Sequence, residues 1–416
     1  MTGTRPLRAL DDATTPAPGE LRSSFLQLTE RFRPHEADGL SARWVVDIDG
    51  DGAYTVHIHN GGCFVSVGAH ADPDTIMRTD RQTWLKLVSG EQDGVAAFTQ
   101  DHLTVHGDLN LALRLESLFQ PGPDTQRVVR TARTNAAGVD LESLIIGRGT
   151  PVVLLHGLGA NKVSFVPTLD ALASRYEVHA LDLPGFGKSG KPLPAARRYS
   201  MRWMADVVHG YLRAQGIGHC YVVGNSMGGR IAVELGLRHP RRLGGVVGLC
   251  PAVAFDEYQW LAPMLRVLHG HWVGLAPIPF RRETVEAAIR GMFHDPYCLR
   301  ADNITAAAEE FVRNLSDRRH RLAILACLRH LAAERASGRR SFWTSIERLR
   351  VPSYWVFGTG DPLVSAAYCE RVRESLPDAR CEVWEDVGHV PQFEVPQRTN
   401  QRVGAFIDEL DAARHR

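Results

Sequence analysis

The stretch Val222-Val-Gly-Asn-Ser-Met-Gly-Gly-Arg230 decides how the larger part of this chain folds. Apolar residues lead in from Tyr221, and Gly224-Asn225-Ser226-Met227-Gly228 follows. Ile231, Val233, Leu235 and Leu237 then continue without a proline until His239-Pro240. The order is strand, tight turn, helix. A serine at such a G-x-S-x-G turn is strained, with its hydroxyl raised at the carboxyl end of a sheet. A Cβ at Gly224 or Gly228 would collide with the neighbouring strand or helix across the turn. The helix starts just behind Ser226, so its first free N–H groups face any negative charge forming there. In a chain with 38 glycines the bare pattern arises by chance, so its weight comes from the strand–turn–helix context.

Outward from this turn, short apolar runs alternate with helical patterns. Strands are expected over 152–155, 178–181, 221–223, 245–249, 353–357 and 381–384, and helices over 165–174, 201–213, 227–238, 366–376 and 398–413. An opening hairpin is expected over 128–134 and 141–146. Continuous apolar runs between helices indicate a parallel sheet covered on both faces, with ligand chemistry beyond the carboxyl ends of its strands. The interruption at about 255–346 is rich in Arg and His and mostly helical in pattern, with an apolar stripe of Trp260, Leu261, Met264, Leu265 and Leu268. It is expected to form a helical cap over the site. An insertion with a small core of its own is the plainer alternative, and the two are compatible.

A serine acting on an acyl group needs a base, an orienter for the base and donors for the oxyanion. The base candidate is His389 in Asp386-Val-Gly-His-Val-Pro391, after the last strand. The orienter is Asp361 in Phe357-Gly-Thr-Gly-Asp-Pro362, with Asp256 as runner-up. The order Ser226, Asp361, His389 is the one this architecture uses. After the strand at 152–155 comes His156-Gly157-Leu158-Gly159, whose glycines let backbone N–H groups approach an oxyanion. The N–H groups of Leu158 and Met227 are the nominated donors, and His156 is expected to brace the loop rather than move protons. Gly360-Asp361 alone is a common turn, and a lone histidine near a carboxy terminus is usually solvated. Four such pieces at four strand ends are much harder to obtain by accident.

With these motifs, residues 128–416 resemble the α/β-hydrolase superfamily. Asp182-Leu-Pro-Gly-Phe-Gly-Lys-Ser189 and Gly224-Asn-Ser-Met-Gly-Gly229 are most similar to its monoacylglycerol-lipase, esterase and ring-cleavage-product C–C hydrolase branches. A serine at 226 excludes the dehalogenase and epoxide-hydrolase chemistry of that superfamily, which uses Asp there.

The chain has 416 residues, too many for one ordinary core, so a second domain is expected. Leu21, Phe25, Leu28 and Phe32 form one helix face that Pro34 ends. The period then changes to two: Trp44, Val46 and Ile48, then Tyr54, Val56 and Ile58. Asn60-Gly61-Gly62 is a hairpin signal, with Val65 and Val67 on the return strand, so an antiparallel meander is expected. His57 and His59 fall on its polar face and are read as solvated. Asp72-Pro73 is read as opening a helical stretch, and Asp80 as the cap of a helix carrying Trp84, Leu85 and Leu87. Leu103-Thr-Val105 reads as a strand, while 109–118 fits a helix or a strand.

Thr83-Trp-Leu-Lys-Leu-Val-Ser-Gly90, Leu103-Thr-Val-His-Gly-Asp108 and Leu111-Ala-Leu-Arg-Leu-Glu-Ser-Leu-Phe119 resemble the sterol carrier protein 2 domain. That resemblance implies a helical close at 111–119 and an apolar tunnel holding lipid, sterol or fatty acyl chains. The plain reading is that these leucines are only core. The expected organisation is a disordered tail at 1–20, an α+β carrier-like domain at 21–119, a Pro-Gly linker at 120–127 and an α/β-hydrolase domain at 128–416.

Lys+Arg 48 against Asp+Glu 47 leaves almost no net charge, which argues against a nucleic-acid binder. The 7 cysteines contain no C-x-x-C pair, so neither a disulfide framework nor a zinc site is expected. No run is apolar enough to span a bilayer, and 1–20 lacks a signal-peptide core, so a cytoplasmic protein is expected. The expected function is hydrolysis of lipid-like carboxylic esters by a Ser226–His389–Asp361 triad, with no cofactor and no metal. The expected partner is a lipid or fatty-acyl small molecule. Transient membrane contact and oligomeric state are left open. C–C bond hydrolysis of a ring-cleavage product and a non-catalytic lipid carrier or sensor are the alternatives.

Overall fold

The computed structural model describes residues 19–414, apart from 123, 124, 126, 128, 254–280, 335–337 and 339–340. The proposed tail therefore falls almost wholly outside the described residues, as do Asp256 and the Trp260 stripe. The chain divides into two units, Met1–Val128 and Val129–Arg416.

In the first unit the helix Gly19–Glu30 buries Leu21, Phe25 and Leu28, the face their spacing marks. Five strands follow: β1 (Ala42–Ile48), β2 (Gly52–His59), β3 (Gly62–Val67), β4 (Thr75–Thr79) and β5 (Leu103–Gly107), in the order β3-β2-β1-β4-β5. Asn60 and Gly61 turn the β2–β3 hairpin with φ of 49° and 70°, the left-handed pair that suits a two-residue turn. Phe25 stacks against Tyr54 and Trp84, at 4.0 and 4.4 Å between ring centroids, joining helix to sheet.

The helix expected after Asp72-Pro73 is not there. Thr75–Thr79 is a strand, parallel to β1, and Asp74 accepts the Arg43 N–H at 2.8 Å. Pairing with β1 along Trp44–Ile48 supplies ladder bonds that a one-turn helix could not. Asp80 does cap the helix Arg81–Ser89, accepting from the Thr83 N–H at 2.9 Å. The ambiguous close is the helix Leu109–Ser117, whose first N–H groups are taken by Asp108. Helix wins here because Ala112 and Leu115, three residues apart, face the core together, with Leu118 just past the helix end joining them.

The second unit holds an eight-stranded sheet: β6 (Arg130–Ala136), β7 (Val139–Ile146), β8 (Pro151–Leu155), β9 (Glu177–Leu181), β10 (Cys220–Asn225), β11 (Leu243–Leu249), β12 (Ser353–Gly358) and β13 (Arg380–Trp384). The order is β13-β12-β11-β10-β8-β9-β7-β6. β8 to β13 are parallel, and the β6–β7 hairpin adds an antiparallel edge. All six residues of β10 are buried, which is why its sequence does not alternate. The chain runs from β8 to β9 on one side, then returns to place β10 on the other. That reversal is a topological switch point, where the loops after β8 and β10 diverge and leave a crevice.

Between β11 and β12 the described residues form helices Arg282–Arg290, Ala301–Ser316, Arg318–Ala332 and Phe342–Ile346. They contact the loops after β8 and β9. Asn161, after β8, donates to Glu310 at 2.6 Å, and His320 Nδ1 meets the Gly185 carbonyl, after β9, at 3.1 Å. Among the described residues no helix is long and apolar enough to cross a membrane.

Candidate active site

The turn after β10 is built as its glycines require. Ser226 has φ 54° and ψ −119°, a region that L-residues rarely enter. Its N–H donates to the Leu249 carbonyl at 2.9 Å, and its own carbonyl accepts from Ala252 N at 3.0 Å and Arg230 N at 3.1 Å. These bonds to β11, to the segment after it and to the following helix hold the strain in place. A Cβ on Gly224 would lie 2.2 Å from the Gly228 carbonyl carbon, and one on Gly228 1.9 Å from the Leu155 oxygen. Both obstacles are backbone, so neither position admits a side chain.

His389 and Asp361 meet at the ends of β13 and β12. Nδ1 of His389 lies 2.8 Å from Oδ2 of Asp361, with side-chain exposures of 4% and 0%. Oδ1 of Asp361 accepts from the N–H groups of Leu363 at 2.8 Å and Val364 at 3.0 Å. The carboxylate thus faces three donors and cannot turn away. An acceptor at Nδ1 puts the ring proton there and leaves Nε2 free to receive another.

The loop carrying His389 is pinned from two sides. Its N–H donates to the Met292 carbonyl in the helical insertion at 2.7 Å. Its carbonyl accepts from Asn225 Nδ2 at 2.9 Å, and the same amide donates to the Leu249 carbonyl at 3.0 Å. The residue before the serine therefore ties the backbone of the histidine to the turn. The Ser226 hydroxyl carries no hydrogen bond among the described residues. Catalytic contacts of this kind often close only when substrate is bound. Sequence reasoning passed over Asn225. Its signal was available: a polar side chain ending a wholly buried strand must find partners.

Cys250, which follows β11, is also drawn in. Its Sγ, Nδ1 or Nε2 of His389 and an oxygen of Asp361 lie within 4.8 Å of one another. Such a trio offers soft and hard donors to a cation. Burial, and then the Asp361 charge, push the Cys250 thiol well above its ordinary pKa. A thiol binds metal as thiolate, and the other two groups are already spent on each other, so the set fits a metal poorly.

On the far side of the serine, a Cβ built on Gly157 would lie 3.4 Å from Ser226 Cβ and from Asn225 Oδ1, so the loop after β8 abuts the turn. Neither the Leu158 nor the Met227 N–H is engaged by a backbone carbonyl among the described residues. His156 is fully buried; its Nε2 accepts from the Leu183 N–H at 3.0 Å and its Nδ1 faces the Gly157 carbonyl at 2.7 Å. Burial pushes its pKa down to about 4, so the ring is a neutral brace between the loops after β8 and β9.

Asp182 explains the motif it opens. It is fully buried and accepts from Lys162 Nζ, the Lys162 N–H and the Lys188 N–H, each at 2.8 Å. Lys162 also reaches Glu142 at 2.9 Å. Burial opposes the Asp182 charge, but Lys162 outweighs it and holds the carboxyl below its usual range. A Cβ on Gly187 would strike this carboxylate at 2.3 Å. The motif is a loop anchor rather than a set of reacting groups.

The first unit has a cavity of about 70 Å³, lined by Leu28, Met77, Trp84, Phe98 and Leu115, with Arg31 and Glu116 as its charged residues. A 150 Å³ engineered cavity accepts benzene, so an acyl chain would have to widen this one. Glu116 accepts from the Gly94 N–H at 2.9 Å, and burial, then the Asp93 charge, raise its pKa to about 8.

A match to the alpha/beta hydrolase fold family spans residues 150–396, and a match to the SCP-2 sterol transfer family spans 25–120. A pimeloyl-[acyl-carrier protein] methyl ester esterase of Aeromonas hydrophila is 32% identical over 268 residues, 63% of this chain and 96% of that protein. Lipase 3 of Moraxella sp. is 28% identical over 265 residues, 63% of this chain and 78% of that protein. A thermophilic esterase from Thermogutta terrifontis superposes with a TM-score of 0.55 at 21% identity, over 68% of this chain and 99% of that one, a likeness of fold alone.

Proposed function

Because the chain belongs to the α/β-hydrolase family, with an SCP2 domain at its amino terminus and esterases and lipases among its relatives, we propose that it hydrolyses lipid-like carboxylic esters through Ser226, His389 and Asp361. The observation that carries the reading is the 2.8 Å His389–Asp361 pair, tied by Asn225 to the strained turn that presents Ser226.

In this reading Ser226 Oγ attacks the acyl carbonyl while Nε2 of His389 takes its proton. Asp361 keeps the ring oriented and offsets its charge. The oxyanion meets the N–H groups of Leu158 and Met227, each worth ~3 kcal/mol if side-chain donor deletions are a guide. His389 returns the proton to the leaving alcohol, and water then clears the acyl-enzyme. The amino-terminal cavity takes up the apolar substrate or product, and a short linker keeps it at an effective concentration of order mM.

A fluorophosphonate probe tests the nucleophile: Ser226 is labelled if the domain is a working hydrolase, and an unlabelled Ser226 marks a carrier or sensor instead. An ester panel of rising chain length tests the rest. Removing residues 1–126 is expected to raise KM for long-chain esters far more than for short ones. Equal effects on both would end the supply role, and turnover of ring-cleavage products but not esters would move the chemistry to C–C hydrolysis.

A further inference from the structure

We propose that Cys369 and Cys381 are a redox modification site, closing to a disulfide that fastens the edge strand of the hydrolase sheet to the helix covering it. Cys369 lies in the helix Tyr368–Ser375 and Cys381 in β13. Their sulfurs are 2.6 Å apart, with exposures of 1% and 9%. That is roughly half an ångström from an S–S bond of ~2.05 Å. All seven cysteines are free, and Cys369 and Cys381 are the two whose sulfurs are recorded in contact among the described residues. The sequence gives no hint of the pair, because a separation of twelve residues says nothing about which side chains a helix and its following strand turn toward each other.

The pair bridges two packed elements. β13 pairs only with β12, so it is an edge, and Tyr368–Ser375 is the helix laid against it. Arg373, one turn beyond Cys369, donates to the Cys381 carbonyl at 2.8 Å and stands beside both thiols. With a hydroperoxide as oxidant, the Cys369 sulfur attacks the peroxide oxygen and becomes a sulfenic acid, its thiol proton leaving with the displaced hydroxide as water. The Cys381 sulfur then displaces a second water and the S–S bond forms. Two thiols and one hydrogen peroxide give one disulfide and two waters. The link spans a short loop and holds β13, which leads directly into the segment bearing His389.

The test treats the whole chain with hydrogen peroxide, alkylates it unfolded and maps its peptides. The expected product joins the Cys369 and Cys381 peptides at a mass about 2 Da below their sum. The oxidised chain is expected to melt roughly 5 °C higher than the reduced one. Cys369→Ser and Cys381→Ser should each lose the shift while keeping reduced-state ester hydrolysis. Recovery of both cysteines separately alkylated, or of Cys369 as a sulfinic acid without a linked peptide, would overturn the proposal. The map reads covalent structure on the wild-type chain, so its result stands apart from whether Ser226 turns over esters.

Discussion

The turn at Ser226 and the cavity of the amino-terminal domain both set polar groups among apolar ones, but they treat them differently. At the turn every charge is met: Asp361 faces one imidazole N–H and two backbone N–H groups, and Asp182 faces Lys162 and two more. In the cavity Glu116 has one backbone donor, and its carboxyl is pushed up to about 8. Chemistry needs atoms at fixed points, so its groups are over-determined. Holding an apolar chain, the role proposed for the cavity, needs only volume, so its lining can be any well-shaped set of leucines, valines and aromatics.

The sharpest break between the two regions is Ser226→Ala. Ester hydrolysis is expected to fall by roughly 10⁵-fold or more, and fluorophosphonate labelling to vanish. Uptake of a fluorescent fatty acid by the amino-terminal cavity should not change. Activity surviving within tenfold would place the nucleophile elsewhere.

Next in size is Gly228→Ala. The added carbon meets the Leu155 oxygen at 1.9 Å, and a strand carbonyl cannot step aside as a side chain can. The loss of hydrolase-domain stability is expected to exceed ~4 kcal/mol by denaturant unfolding. Gly61→Ala in the β2–β3 turn makes the contrast. Nothing lies within 4 Å of its Cβ, so only the φ of 70° counts, at ~1 kcal/mol. Equal losses would mean that the Ser226 turn relaxes more freely than its contacts indicate.

What the sequence disclosed follows the same division. Gly224, Ser226 and Gly228 were legible because a strained turn admits few residue types. The parallel sheet was legible because strands buried on both faces have nothing polar to alternate. Thr75–Thr79 was not, because five residues after a proline carry no period of their own and became a strand only by lying beside β1. Asn225, Cys250 and Met292 were missed for a related reason. Their roles depend on the loops after β11 and β13 coming together, and a local window cannot contain that. The carrier-like domain was recognised through its wording, while the charges at its cavity, Arg31 and Glu116, lie far apart in the chain and announced nothing.

Acid separates the regions further. His156 and His320 are buried in the hydrolase domain, and burial pushes both down to about 4. A depressed pKa means that the unfolded chain takes up protons first. The stability is present above the ordinary histidine range and is lost as pH falls toward 4. Each ring accounts for roughly 3 kcal/mol across that window. The hydrolase transition of the wild type should therefore drop steeply between pH 7 and 4. His320→Gln, which keeps a donor for the Gly185 carbonyl, should remove about half of the drop. An unchanged slope would assign the acid sensitivity to other groups.

The amino-terminal domain should respond with the opposite sign, and more weakly. Glu116 is raised to about 8 by burial and then by Asp93, so the unfolded chain loses this proton before the folded one does. Its contribution is complete below the ordinary carboxylate range and is lost as pH rises through about 8. The side chain is only half-buried and Arg127, then Arg31, offset part of the cost, so solvent screening leaves about 2 kcal/mol rather than the full shift. Glu116→Gln keeps the acceptor for the Gly94 N–H and removes the charge. It should leave the amino-terminal transition where it is at pH 4 and strengthen it by about 2 kcal/mol at pH 9. A gain of equal size at both pH values would mean that glutamine packs better and that charge has no part in it. A loss at pH 9 would mean that the attraction of Arg127 and Arg31 for Glu116 outweighs burial. The cavity would then resemble the active site in meeting its charges, and the contrast between the two regions would fail at its weakest point.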